Sequence, residues 1–194
     1  MLKTEALKMI ADKVSQCTLC QELTKYRTDH NYKTVPGEGN PNADVMFIGE
    51  APGEDEAKSG CPFVGRAGQL LTKIIEAMGL PREQVYICNI LKCRPPGNRV
   101  PNAVETKNCR KYLDLQIKTV NPKWVVCLGK TASVHLLGKS EDVTMGSLRG
   151  EHEYLGRKVI CTYHPSYLLR NPDAKKDVWE DLQPIFGLQN LQRS

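Results

Sequence analysis

The sequence predicts an α/β fold in which a parallel sheet is buried between helices. Two observations carry this reading. Four short runs, at residues 44–49, 84–90, 124–129 and 158–164, are rich in β-branched residues and set apolar side chains side by side instead of in alternation. Such runs mark strands covered on both faces. Between them lie segments with helical spacing, and strands that alternate with helices build a parallel sheet.

The elements follow in chain order. Leu7, Ile10 and Val14 fall on one face of an N-terminal helix. The first strand, DVMFIG at 44–49, is followed by a helix in which Leu70, Leu71, Ile74, Ile75 and Met78 share a face, and Gly79 and Pro81 end it. After the second strand a helix is expected over residues 103–120, and further helices follow Gly129 and Asp173. No repeat or linker divides the chain. One domain over residues 1–194 is expected, a length at which a single core suffices.

Composition excludes several classes. With 40% hydrophobic and 25% charged residues and a mean hydropathy of -0.42, wholesale disorder is ruled out. No apolar run approaches the roughly 18 to 20 residues of a membrane span. The first eight residues carry charges where a signal peptide would be apolar, so a cytoplasmic location is expected. Lys and Arg number 27 against 22 acidic residues, a net +5 that permits a polyanionic partner without demanding one.

The eight cysteines separate by spacing. Cys17 and Cys20 form a CxxC pair, and Cys93 and Cys109 are candidates to complete a four-sulfur shell; the alternative is independent structural cysteines. Zinc and a 4Fe-4S cluster both accept four thiolates. A zinc ribbon usually supplies two close pairs, so the wide separation of Cys93 from Cys109 leans toward iron and sulfur. Cys88, Cys127 and Cys161 lie within strands and read as core residues; Cys61, in a loop, has no assigned role.

In a parallel sheet the ligand site lies beyond the carboxyl ends of the strands. There the sequence places GEAPGEDE at 49–56, Asn89, and His164, Pro165 and Ser166. Two other motifs fail. Gly129, Lys130 and Thr131 resemble the end of a phosphate loop, but Trp124 stands where its first glycine is required. Gly37 and Gly39 lack the third glycine of a dinucleotide fingerprint and read as a turn.

With GEAPG at 49–53, PFVG at 62–65, Asn89, the four-cysteine pattern and HPS at 164–166 in order, the chain resembles the type-4 uracil-DNA glycosylases, the iron-sulfur branch of their superfamily. The resemblance implies a three-layer α/β/α sandwich around a four-stranded parallel sheet. It also implies hydrolysis of the N-glycosidic bond of uracil flipped out of DNA, leaving an abasic site for base excision repair. One 4Fe-4S cluster on Cys17, Cys20, Cys93 and Cys109 is implied as well.

Carried over by position, Phe63 stacks on the extruded base, Asn89 reads its pairing edge and His164 faces uracil O2. Gly49 and the main-chain amides of Glu50 and Ala51 line the same rim, and Glu56 fills space beside C5 to exclude thymine. Other superfamily members carry a water-positioning Asp where this chain has Ala51, which leaves Glu50 as the neighbouring carboxylate. Ser166, Tyr167, Leu168, Leu169 and Arg170 are expected to form a DNA-contacting loop that grips phosphate and wedges into the gap left by the base; the alternative is a helix start with Leu168 and Leu169 packed inside. The expected partner of this monomer is uracil-containing DNA, single- or double-stranded. No motif names a protein partner such as a sliding clamp. An iron-sulfur electron-transfer or redox-sensing protein would share the cysteines but leaves the polar residues at the strand ends unexplained, and a DNA-binding module held together by its metal predicts affinity without turnover.

Overall fold

The structure is a computed structural model that describes residues 2–186; Met1 and residues 187–194, which the single-domain expectation includes, lie outside the described residues. One sheet is formed by β1 (Glu38–Gly39), β2 (Val45–Gly49), β3 (Tyr86–Asn89), β4 (Trp124–Leu128), β5 (Gly150–Tyr154) and β6 (Arg157–Thr162). Their order is β1-β3-β2-β4-β6-β5. β3, β2, β4 and β6 are parallel neighbours and correspond to the four runs read from the sequence.

The sheet is therefore larger than the expected four strands. β1 and β5 extend it at opposite edges, each antiparallel to its neighbour. Both escape a search for apolar runs, for physical reasons. β5 alternates half-buried and exposed positions and carries Glu151, His152 and Glu153. β1 has two residues and lies in the segment read as a turn; a Cβ on Gly39 would stand 2.0 Å from the Val85 carbonyl oxygen, so glycine is there for close strand approach.

The helices are α1 (Lys3–Ser15), α2 (Gln21–Asp29), α3 (Glu54–Ser59), α4 (Arg66–Ala77), α5 (Ala103–Val120), α6 (Lys130–Leu137), α7 (Met145–Leu148), α8 (Pro165–Arg170) and α9 (Lys175–Phe186). Side chains that alternate along the central strands meet different helices. Met46, Ile48, Val125, Cys127 and Cys161 pack with Leu113 and Ile117 of α5 and Leu136 of α6. Phe47, Val126, Leu128 and Ile160 pack instead with Leu71 and Ile75 of α4 and Val178 and Leu182 of α9. This is the three-layer α/β/α arrangement, and it buries Cys88, Cys127 and Cys161 completely, as expected.

Helix α5 starts where its sequence dictates. Asn102 Oδ1 accepts from the Glu105 amide at 2.9 Å and Glu105 Oε2 accepts from the Asn102 amide at 2.9 Å, a reciprocal cap. Tyr112 of α5 packs against Ile10 and Val14 of α1 and so brings Cys17 beside Cys109. No helix among the described residues is long and apolar enough to cross a membrane. From β2 the chain passes to β3 on one side and then to β4 on the other. That reversal opens a crevice at the carboxyl ends of β2 and β4.

Candidate active site

A cleft of about 800 Å³ occupies this crevice, lined among others by Glu50, Ala51, Glu56, Phe63, Asn89, His164, Ser166, Tyr167 and Arg170. Residues far apart in sequence meet there because each follows a parallel strand or lies in a loop packed over one.

Asn89 ends β3 and is 2% exposed, and its Oδ1 is buried with no hydrogen-bond partner among the described residues. A buried polar atom without a partner costs roughly 1 to 3 kcal/mol, so the site holds an acceptor ready for a ligand donor. A Cβ on Gly49 would stand 2.4 Å from Asn89 Oδ1 and 2.5 Å from Phe63 Cζ. Amide and ring thus converge over a backbone bare of side chain, which explains the glycine that closes β2.

Phe63 adopts φ 52°, an uncommon conformation for a bulky residue. Gly68, in the first turn of α4, permits it: a Cβ there would be 1.9 Å from the Phe63 carbonyl carbon and oxygen. The ring faces the cleft, 5.6 Å between centroids from the His164 imidazole. Glu56 lines the cleft as expected, but its carboxylate is committed. Oε1 accepts from the amides of Val64 and Gly65, both at 2.9 Å, and Oε2 accepts from the Gly53 amide at 3.1 Å. It ties the GEAPG loop to the PFVG loop, a task whose partners eight and nine residues on could not be read from the sequence.

His164 is the N-cap of α8. Its Nδ1 accepts from the Ser166 amide at 3.1 Å and lies 2.8 Å from Ser166 Oγ. A nitrogen that accepts from a main-chain N–H carries no proton, so the neutral ring bears its proton on Nε2, free to donate. Burial, reinforced by the Arg170 charge and opposed by Glu56, lowers the imidazole pKa to about 4. The residue therefore enters at neutral pH as an uncharged donor.

The helix α8 corrects one expectation. Leu168 is 1% exposed and packs in the core beside Ile160 and Val178, so it is not available to wedge into DNA. A short helix turns it inward and leaves Tyr167 and Leu169 outward, 37% and 40% exposed. Tyr167 stacks on Tyr163, with ring centroids 4.7 Å apart. Lys130 and Thr131, set aside with the failed phosphate loop, also line the cleft; their place directly after β4 was the available signal.

Cys17, Cys20, Cys93 and Cys109 line a second, apolar cavity with Val14, Leu23 and Tyr112. None of the four is in a disulfide, and no group of three or more ligating side chains stands at single-ion spacing among the described residues. Donors point at the sulfurs: Arg27 Nη1 to Cys93 at 3.3 Å, Asn108 Nδ2 to Cys20 at 3.6 Å, and the Lys92 main chain to Cys109. Burial pushes the Cys109 thiol up to about 12. Thiolates in this nest require a compensating cation, and the surrounding N–H donors suit an anionic sulfur-rich centre, so the residues fit a cluster.

An aromatic face, an unpaired amide and a neutral imidazole donor at the carboxyl ends of a parallel sheet define an α/β protein with a seat for a flat polar ring. The family model described as the uracil DNA glycosylase superfamily matches residues 36–183, and the chain belongs to that superfamily. Among its relatives is a type-4 uracil-DNA glycosylase of Thermotoga maritima, 45% identical over 93% of this chain and 93% of that protein. Others, bearing the same name, come from Sulfurisphaera tokodaii, 42% identical over 95% and 85% of the two chains, and from Archaeoglobus fulgidus, 40% identical over 94% of each.

Proposed function

We propose that the protein is a DNA-repair glycosylase that hydrolyses the N-glycosidic bond of uracil extruded from DNA and leaves an abasic site. The observation that carries this reading is the unpaired Asn89 Oδ1 beside Phe63. Uracil offers an N3–H donor next to its O4 acceptor, and an Asn amide offers the matching acceptor and donor. Cytosine reverses both. The Phe63 ring supplies the stacking face, and Glu56, held rigid by three amides, walls off the C5 side against the thymine methyl.

Bond cleavage sends an electron pair to the departing base, whose negative charge gathers at O2. The His164 Nε2–H is the preorganised donor for that charge, and such donors lower the barrier because they act only as charge develops. Of the two cleft carboxylates, Glu56 is occupied by main-chain amides, which leaves Glu50 to orient water and balance positive charge on the sugar. The outer face of α8, with Ser166, Tyr167, Leu169 and Arg170, meets the DNA, and of the apolar residues in this segment Tyr167 and Leu169 are the exposed ones that enter the gap.

A 4Fe-4S cluster is proposed on Cys17, Cys20, Cys93 and Cys109; when bound it cross-links the α1–α2 segment to the chain after β3. A cytoplasmic location, where thiols stay reduced, and a monomer are proposed. The test is incubation with an oligonucleotide carrying one uracil, followed by detection of free base and of abasic sites. Release of uracil with strand cleavage only after alkali is expected. Binding without base release would leave only a DNA-binding module.

A further inference from the structure

Lys92 is 1% exposed, among the most completely buried large side chains of the protein, and forms no ion pair with a carboxylate among the described residues. Its Nζ donates to the Asn89 carbonyl oxygen at 2.7 Å and to Gln116 Oε1 at 2.6 Å. Gln116 Nε2 donates in turn to the Pro36 carbonyl at 2.6 Å. The register shows why a side chain is needed. Glu38 stands opposite Ile87, and the Asn40 amide donates to the Val85 carbonyl, so the next hydrogen-bonded pair along this antiparallel register would set residue 36 opposite Asn89. Residue 36 is proline, which has no N–H to give. The Asn89 carbonyl would be a buried orphan, and the Lys92 ammonium replaces the missing ladder donor.

The other groups of Lys92 are also committed. Its main chain hydrogen-bonds Cys109, and its carbonyl accepts from the Val35 amide at 2.8 Å. We infer that Lys92 is a positioning residue for base recognition: it fixes the Asn89 peptide, and with it the reading amide, while anchored to the four-cysteine nest. This rests on the reading of Asn89 given above. Lysine suits the post because its four-carbon stem passes through the apolar layer while its head supplies several donors.

The experiment is a double-mutant cycle on the cluster-loaded protein, read as single-turnover uracil release from an oligonucleotide. Lys92→Met keeps the stem and removes the donors. It should lower release about 10- to 100-fold, the loss expected when a recognition group is displaced by an ångström or less. In an Asn89→Ala background the same change should cost less than about twofold, since nothing remains to be positioned. Losses that multiply in the double variant would overturn the inference while leaving Asn89 as reader. Undiminished release by Asn89→Ala alone would overturn the reading of Asn89 and this inference with it. If Lys92→Met does not fold, Gln116→Met, which removes the acceptor that steadies Nζ, carries the same comparison with a smaller loss.

Discussion

His164 serves two tasks with its two nitrogens. Nδ1 caps α8, and in the proposed reaction Nε2 faces the leaving base. His164→Ala should lower single-turnover excision about 10²- to 10³-fold while DNA affinity changes little, the signature of a contact made only in the transition state. The lowered pKa also has a stability consequence. The unfolded imidazole titrates near about 6.5. Below that pH the unfolded chain takes up a proton that the native state refuses until about 4, so stability falls across this window as acid is added. Denaturation midpoints at pH 7 and pH 5 should differ more for the wild type than for His164→Gln. Asn89→Asp should lose most uracil excision and gain slow cytosine release, because a carboxylate accepts from the cytosine amino group; retention of normal uracil preference in matched oligonucleotides would remove Asn89 from the reading role. That Asn89 and His164 stand at the cleft was legible because each ends an apolar run, where a rigid strand can aim it. Which of Leu168 and Leu169 turns inward was not, since it depends on how a six-residue helix sits on the core, nor were the Val64 and Gly65 amide partners of Glu56, which lie in another loop.

Among the elements, the junction of the PFVG loop with α4 illustrates how a helix enforces an unusual backbone. Gly68 is buried directly against the Phe63 carbonyl, and any side chain there must push the loop away. Gly68→Ala should destabilise the fold by about 1 to 3 kcal/mol, the usual cost of overpacking. It should also reduce uracil release about 10²-fold through the displaced ring, more than the stability change would require. Chemical denaturation and single-turnover release, measured on one preparation, separate the two effects. The periodicity of Leu71, Ile75 and Met78 announced α4, but the tight contact at Gly68 was silent, since a glycine in a helical pattern does not disclose what it touches. The same limit hid β1 and β5. Apolar runs report strands buried on both faces, and these two are edge strands with polar or missing side chains.

At the scale of the molecule, the split cysteines bring the α1–α2 segment, the chain after β3 and α5 to one cavity, where the proposed cluster would cross-link them. Protein purified without chelator should be brown, with a broad absorbance near about 400 nm and iron bound through thiolates. Cys17→Ala should lower both iron content and the thermal midpoint; a colourless protein with one zinc would refute the cluster. The mild net charge of +5 becomes effective through its placement, with Lys130 and Arg170 both at the cleft. Arg170→Ala should weaken binding to all DNA sequences alike and reduce the slope of log affinity against log salt by about one. Association measured across a salt series checks this. The two edge strands carry a last consequence. One side of the sheet ends in a two-residue strand, and the other in a strand whose exposed positions include Glu151 and Glu153. Neither offers another copy a long, flat, uncharged row of amides and carbonyls, so lengthening of the sheet from molecule to molecule is disfavoured at both edges.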